Sequence, residues 1–184
     1  NLVAGLGSKV GWLKLPILGN VVRKAAKGKI GFSNLKFAIT GAAPINPEIL
    51  HLFHRLGIPI FEGYGMTETT AGATLGHPGA NRIGSVGKPL VGTELRIDDP
   101  DEQGNGEIQF RGRHVMAGYY KNSEATAETM TEDGWLKSGD LGKVDSDGFV
   151  YVTGRLKEIY VSSAGKNIAP LVIEETMKSI PVVS

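Results

Sequence analysis

The stretch "FEGYGMTETTAG", Phe61 to Gly72, gathers residue types that can handle a phosphorylated ligand. Gly63 and Gly65 let a backbone approach a ligand closely, and Tyr64 offers a flat face on which a base can stack. Thr67 supplies a hydroxyl for a phosphate oxygen, and Glu68 a hard carboxylate for a cation such as Mg²⁺. Each residue alone also suits a plain turn, with the glycines as turn formers, Tyr64 at the rim of a core and Thr67 as a cap.

Two later stretches carry comparable chemistry. In "GWLKSGDLG" the carboxylate of Asp140 can accept hydrogen bonds from both hydroxyls of a ribose, or simply sit in a polar turn. In "GRLKE", just after the strand-like "FVYV", Arg155 can reach ribose or phosphate, and Lys157 follows two residues on; an exposed charged turn is the alternative. The four histidines lack convincing metal spacing; His51 and His54, three apart on an expected helix, read as ordinary helix positions.

These side chains need elements to hold them. "LKFAIT" reads as a strand and "GAAPIN" as a loop. Asn46 can then cap a helix with Pro47 in its first position, whose apolar stripe is Ile49, Leu50, Leu52, Phe53 and Leu56. Gly57 ends that helix and "IPIF" is the next strand. A strand, crossover helix and strand imply a parallel sheet, with ligands bound beyond the carboxyl ends of its strands, where "GAAP" and "EGYGMTE" both lie. After Gly72 short β-like runs alternate with turns: "TELRI", "EIQFRG", "GKVD" and "FVYV". They predict a small antiparallel sheet or barrel, interrupted by a short helix in "SEATAETMTEDG" with Ser123 as its cap. The fold class is therefore α/β: the end of a parallel-sheet α/β subdomain, a small antiparallel β subdomain, then the start of a small α+β C-terminal domain.

Composition narrows the classes. The chain has 184 residues, 41% of them hydrophobic, enough for one substantial core. A formal charge of +1 gives no electrostatic reason to expect nucleic acid as a partner. The absence of cysteine excludes disulfides, thiolate metal sites and cysteine nucleophiles, and fits a reducing, cytoplasmic setting. Lys9, Lys14 and Pro16 break the opening apolar run before it reaches membrane length, so no transmembrane segment is expected; peripheral membrane association stays open. Lacking an initiator methionine, the chain reads as an internal piece of a longer protein.

Taken in order, "GAAP", "YGMTE", "GEIQFRG", "GYYKN", "DGWLKSGD" and "GRLKE" resemble the adenylate-forming (AMP-binding) superfamily of acyl-CoA synthetases, luciferases and peptide-synthetase adenylation domains. The likeness runs from about Leu35 to the end, and "GRLKE" with "SSAGKNIAP" is most like the long-chain fatty acyl-CoA synthetases, including the bubblegum type. The resemblance implies an ATP-dependent ligase that joins a fatty acid to CoA through an acyl adenylate. Alternatives are an adenylating ligase that uses a carrier-protein thiol, and a non-catalytic nucleotide-binding module.

The same resemblance implies roles residue by residue. Tyr64, flanked by Gly63 and Gly65, stacks on adenine; Thr67 touches the α-phosphate; Glu68 holds Mg²⁺; Asp140 and Arg155 hold the ribose. Gly41, Ala42 and Ala43 lie beside adenine and the acyl group. Lys157 is the hinge residue, and Gly165, in the stretch from Ala164 to Lys166, belongs to a loop lining the CoA tunnel. It further implies that residues 1–72 end the nucleotide- and acyl-binding subdomain, 73–153 form the β subdomain, 154–158 the hinge, and 159–184 the start of the C-terminal domain. ATP, Mg²⁺, CoA and a fatty acid are the expected ligands. The chain departs from the family pattern at Asn167, where many relatives have arginine. It also lacks the upstream phosphate loop and the downstream catalytic lysine, so it is expected to be inactive alone.

Overall fold

A computed structural model describes residues 16–161 together with 167, 168, 170, 173, 174 and 177. The Gly165 tunnel loop lies outside the described residues.

The chain divides into two compact units, residues 1–38 with 47–60, and residues 39–46 with 61–184. The first holds helices α1 (Pro16–Lys29) and α2 (Pro47–Arg55). Pro16 and Pro47 open them, where a missing N–H costs nothing. The α2 stripe buries Leu50, and Ile58 just beyond the helix is equally buried, each at 1% exposure. Gly57 stops α2 in a left-handed conformation (φ 73°). Its N–H bonds to the His54 carbonyl at 2.9 Å and that of Ile58 to Phe53 at 2.9 Å, which closes the last open carbonyls.

The first sheet has the order β1 (Ala38–Thr40), β2 (Ile60–Tyr64), β3 (Thr74–Leu75), β4 (Lys88–Pro89). Strand β1 is shorter than "LKFAIT" predicts, and β2 is longer than "IPIF", because Gly63 and Tyr64 continue it by pairing antiparallel with Leu75 and Thr74. The two loops expected at the strand ends do follow them, Gly41 onward after β1 and Gly65 onward after β2.

The predicted antiparallel sheet is a four-stranded meander: β5 (Thr93–Asp98), β6 (Gly106–Gly112), β7 (Leu136–Val144) and β8 (Val150–Arg155). Along β6, Ile108 and Phe110 point to one face and Glu107, Gln109 and Arg111 to the other, the period-two rule of a strand. Ile108, Phe110, Val150 and Ala73 make the fully buried core, against which Tyr64, Val86, Leu95 and Val152 pack. Each such large side chain contributes about 1.5–3 kcal/mol by leaving water. On the other face Trp135 lies under two guanidinium groups, Arg96 at 4.5 Å and Arg111 at 4.6 Å from its ring.

Helix α3 (Ser123–Thr129) forms where expected, but its cap is Asn122, whose side-chain oxygen accepts from the Ala125 N–H at 3.1 Å, and Ser123 is already inside the helix. A two-stranded pairing of β9 (Tyr160–Val161) with β10 (Asn167–Ile168) follows the 3₁₀ turn Leu156–Glu158. Among the described residues no helix is long and apolar enough to cross a membrane.

Candidate functional site

A cleft of about 1150 Å³ opens in the second unit, lined by the loop Gly41–Pro44, by Glu62 to Met66 on and after β2, by Lys137 to Asp140 on β7, and by Gly154 to Glu158. It therefore brings together Gly41, Ala42, Ala43, Gly63, Tyr64, Gly65, Asp140, Arg155 and Lys157. Residues separated by more than a hundred positions in sequence meet because the ends of β1, β2 and β8 and the middle of β7 all border the cleft.

Strand register sets the centre of the site. Asp140 of β7 pairs with Arg155 of β8, so the carboxylate and guanidinium are cross-strand neighbours, 3.4 Å apart. Arg155 remains 65% exposed while Asp140 is 17% exposed, which leaves the cation free to turn toward a ligand. Tyr64 donates its hydroxyl to the other Asp140 oxygen at 2.5 Å. Burial, then the Asp140 bond and charge, push the Tyr64 phenol far above its ordinary range, so it stays a neutral donor.

Asp140 is not in a turn. It sits within β7, on a bulge: Glu107 pairs with Leu141 and Gln109 with Lys137, so Ser138, Gly139 and Asp140 stand opposite Ile108 alone. Bulges next to sites re-aim a side chain, and the amides they free need other partners. Here the Asp140 N–H bonds to Ser138 Oγ at 3.1 Å, Ser138 Oγ donates to the Ile108 carbonyl at 2.6 Å, and the Gly139 N–H reaches Glu107 Oε1 at 2.9 Å.

Thr67 and Glu68 follow β2 in a 3₁₀ turn, Thr67–Thr69. Fully buried Thr69 closes that turn, its hydroxyl bonding both the N–H and the carbonyl of Met66 at 3.0 Å. Thr67 is exposed. Glu68 is fixed from the chain before α3: its carboxylate accepts the Tyr119 hydroxyl at 2.6 Å and its carbonyl the Met116 N–H at 2.8 Å. Among the described residues no three His, Cys, Asp or Glu side chains cluster to hold a metal by themselves.

The glycines line the cleft and also have a packing reason to lack a side chain. A Cβ on Gly65 would stand 2.4 Å from the Ala71 carbonyl oxygen, and one on Gly41 3.0 Å from that of Gly63. They allow chain to meet chain. Ala42, Thr70 and Ala71 hold left-handed φ values of 68°, 54° and 72°, strain that gathers in the two loops beyond β1 and β2.

The AMP-binding enzyme family matches residues 13–120 of this chain. The chain belongs to the AMP-binding enzyme family. Its similarity to individual AMP-binding enzymes extends further along the chain. It is 45% identical over 165 residues to the long-chain-fatty-acid–CoA ligase ACSBG2 of Gallus gallus, covering 89% of this chain and 22% of that protein. It is 41% identical over 171 residues to the long-chain-fatty-acid–CoA ligase FadD15 of Mycobacterium bovis, covering 93% of this chain and 27% of the relative. The chain thus spans about a quarter of the length of these curated relatives. Among solved structures, it superposes on O-succinylbenzoate coenzyme A synthetase of Bacillus subtilis in complex with ATP and magnesium ion with a TM-score of 0.73 at 34% identity, covering 81% of this chain and 32% of that one. The fold is that of an AMP-binding enzyme, α/β with an appended antiparallel sheet.

Sequence reading missed Glu107, Ser138 and Tyr119 as contributors to the site. The first and last lie inside "GEIQFRG" and "GYYKN", stretches that marked the family without assigning these side chains a task. Only the register of β6 against β7 shows that Glu107 faces the bulge.

Proposed function

We propose that this chain supplies one wall of the adenylation site of an AMP-forming long-chain fatty acid–CoA ligase. The observation that carries the reading is the meeting of Tyr64, Asp140 and Arg155 at one cleft in a chain of this family. A neutral phenol, a carboxylate and an exposed guanidinium in contact suit a nucleoside: a ring to lie against the base, an acceptor for ribose hydroxyls, a cation for ribose or phosphate. The names of the relatives favour a long-chain acid as substrate and CoA as acceptor, over a carrier-protein thiol or a module without turnover. ATP and CoA as substrates suit a cytoplasmic enzyme, with the lipid substrate reached at a membrane surface.

In the reaction, a carboxylate oxygen of the fatty acid forms a bond to the α-phosphorus of ATP while the α–β anhydride bond breaks and pyrophosphate leaves. The CoA thiolate then attacks the acyl carbonyl and AMP departs. Such chemistry asks the protein for position and charge rather than a nucleophile. Tyr64 and the strained loop Gly41–Ala43 hold the base, Asp140 takes the ribose hydroxyls, and Arg155 swings toward the ribose. Thr67, exposed at the turn, offers its hydroxyl to the α-phosphate. A lone carboxylate with one oxygen on Tyr119 suits a magnesium ion that arrives on the nucleotide, since Mg²⁺ in such sites keeps phosphates and water as its other ligands. Held there, the ion would supply positive charge beside the phosphate oxygens. Glu68 is the residue of this chain that would hold it.

Lys157, exposed in the 3₁₀ turn after β8, is read as the hinge between residues 73–153 and 159–184. Gly165 remains the proposed tunnel residue. Incubating the full-length enzyme with ATP, fatty acids of graded length, and either CoA or a phosphopantetheinyl carrier tests the acceptor. Acyl-CoA and AMP are expected, with longest-chain acids used best. Acyl transfer to the carrier alone would overturn the assignment.

A further inference from the structure

We propose that Glu107 aims Asp140 at the ribose, acting as a positioning residue for nucleotide recognition. The inference rests on the reading of Asp140 as the ribose acceptor and adds to it the group that holds it in place.

Three residues of β7 share the space of one residue of β6 at this point, and the cost of a bulge is a set of unpaired amides. The Asp140 N–H is met locally by Ser138 Oγ. The Gly139 N–H has no such neighbour and is met from the adjacent strand, by Glu107 Oε1 at 2.9 Å. Gly139 sits at φ 72°, with open space where a side chain would stand. Glycine has the widest backbone freedom of any residue, so the hydrogen bond to its N–H narrows the conformations open to it here. The Glu107 bond therefore fixes the Ser138–Gly139 peptide, one removed from Asp140, while Ser138 Oγ holds the next one through the Asp140 N–H.

Glu107 is itself anchored. Its Oε2 accepts from Gln109 Nε2 at 3.2 Å, and Gln109, with no exposed surface, is held by Arg96 Nε at 2.9 Å and Asp98 at 3.0 Å. The network runs from Arg96, whose guanidinium lies on Trp135, through Gln109 and Glu107 to Gly139. Glu107 lines the cleft, yet both its oxygens are engaged by protein groups. Its Oε1 is directed to the Gly139 N–H inside the bulge, which is why it reads as a positioning carboxylate.

The test compares ATP with 2′-deoxy-ATP and 3′-deoxy-ATP in the full-length enzyme, reading the ratio of kcat/KM values. Asp140→Ala is the reference, expected to abolish the preference for the intact ribose. Glu107→Gln keeps an acceptor for the Gly139 N–H while giving up the bond from Gln109 Nε2, and is expected to retain more of the preference than Glu107→Asp. Glu107→Asp keeps the charge but withdraws the acceptor by one methylene, and is expected to lose about tenfold of the preference through KM with kcat little changed. Both substitutions are mild enough to fold, which circular dichroism melting checks. Undiminished preference in Glu107→Asp overturns the proposal, as does a loss in Glu107→Gln that matches or exceeds it, which would mark a direct ligand contact by the charge. Undiminished preference in Asp140→Ala would instead remove the reading of Asp140 on which the proposal stands.

Discussion

Tyr64 shows how one side chain serves core and site together. Its ring lies 5.9 Å from that of Phe110, tilted against it, while its hydroxyl donates to Asp140. Tyr64→Phe keeps the ring and removes the donor, so KM for ATP should rise about tenfold with kcat little changed in steady-state assays. Glu68→Ala removes the proposed magnesium carboxylate and should lower ATP–pyrophosphate exchange by about a hundredfold. Unchanged exchange would count against that role. Glu62, accepting the Gly84 N–H at 3.0 Å, tells a different story. Burial raises its carboxyl above the ordinary 4.5, outweighing the lowering effect of the Gly84 bond. The folded chain therefore binds this proton more tightly than the unfolded one. The stability it contributes is complete below the unfolded value and is lost as pH rises through the folded one. Glu62→Gln, which keeps an acceptor for Gly84, should raise Tm at neutral pH by about 2 °C and leave it unchanged near pH 4, as thermal melts across pH would show.

At the scale of elements, the bulge in β7 and the buried face of β6 do most to build the site. Phe110 has no exposed surface, and Phe110→Ala should cost about 3–5 kcal/mol in urea denaturation, loosening the packing behind Tyr64. Much of this architecture was legible in the sequence. Helix α2 announced itself by its apolar stripe, Pro47 and Gly57, and the antiparallel strands by alternation between turn clusters. The bulge was not legible, because "LKSGDLG" has no alternation and its strand assignment depends on partners in β6 and β8. Asp140 was therefore assigned to the ribose by the resemblance, with a polar turn as the alternative setting, and its place within a strand was not foreseen. Gly63 in β2 and Gly65 just after it were read as letting a ligand approach; not legible was that chain at Leu75 and Ala71 already stands where their side chains would be. The cap of α3 slipped by one residue since Asn122 and Ser123 both suit that position chemically, and the bond to Ala125 decides between them.

The whole molecule is read through its family and its cleft together. Family membership rests on residues 13–120, whereas Asp140, Arg155 and Lys157 lie beyond them; the resemblance of "DGWLKSGD" and "GRLKE" singled them out, and the register of β7 against β8 sets Asp140 beside Arg155. If Lys157 is a hinge, Lys157→Pro should slow thioester formation and adenylation unequally in single-turnover assays, because proline fixes one backbone angle that a rotation must change. Equal slowing of both half-reactions would point to misfolding instead. The central claim is that a fatty acid carboxylate attacks the α-phosphorus of ATP at this cleft. Its most direct test uses fatty acid labelled with ¹⁸O in the carboxyl group, full-length enzyme, ATP and CoA, with mass analysis of the nucleotide and phosphate products. The account predicts one labelled oxygen in AMP and none in pyrophosphate. Label in inorganic phosphate with ADP as the nucleotide product, or AMP free of label, would contradict it.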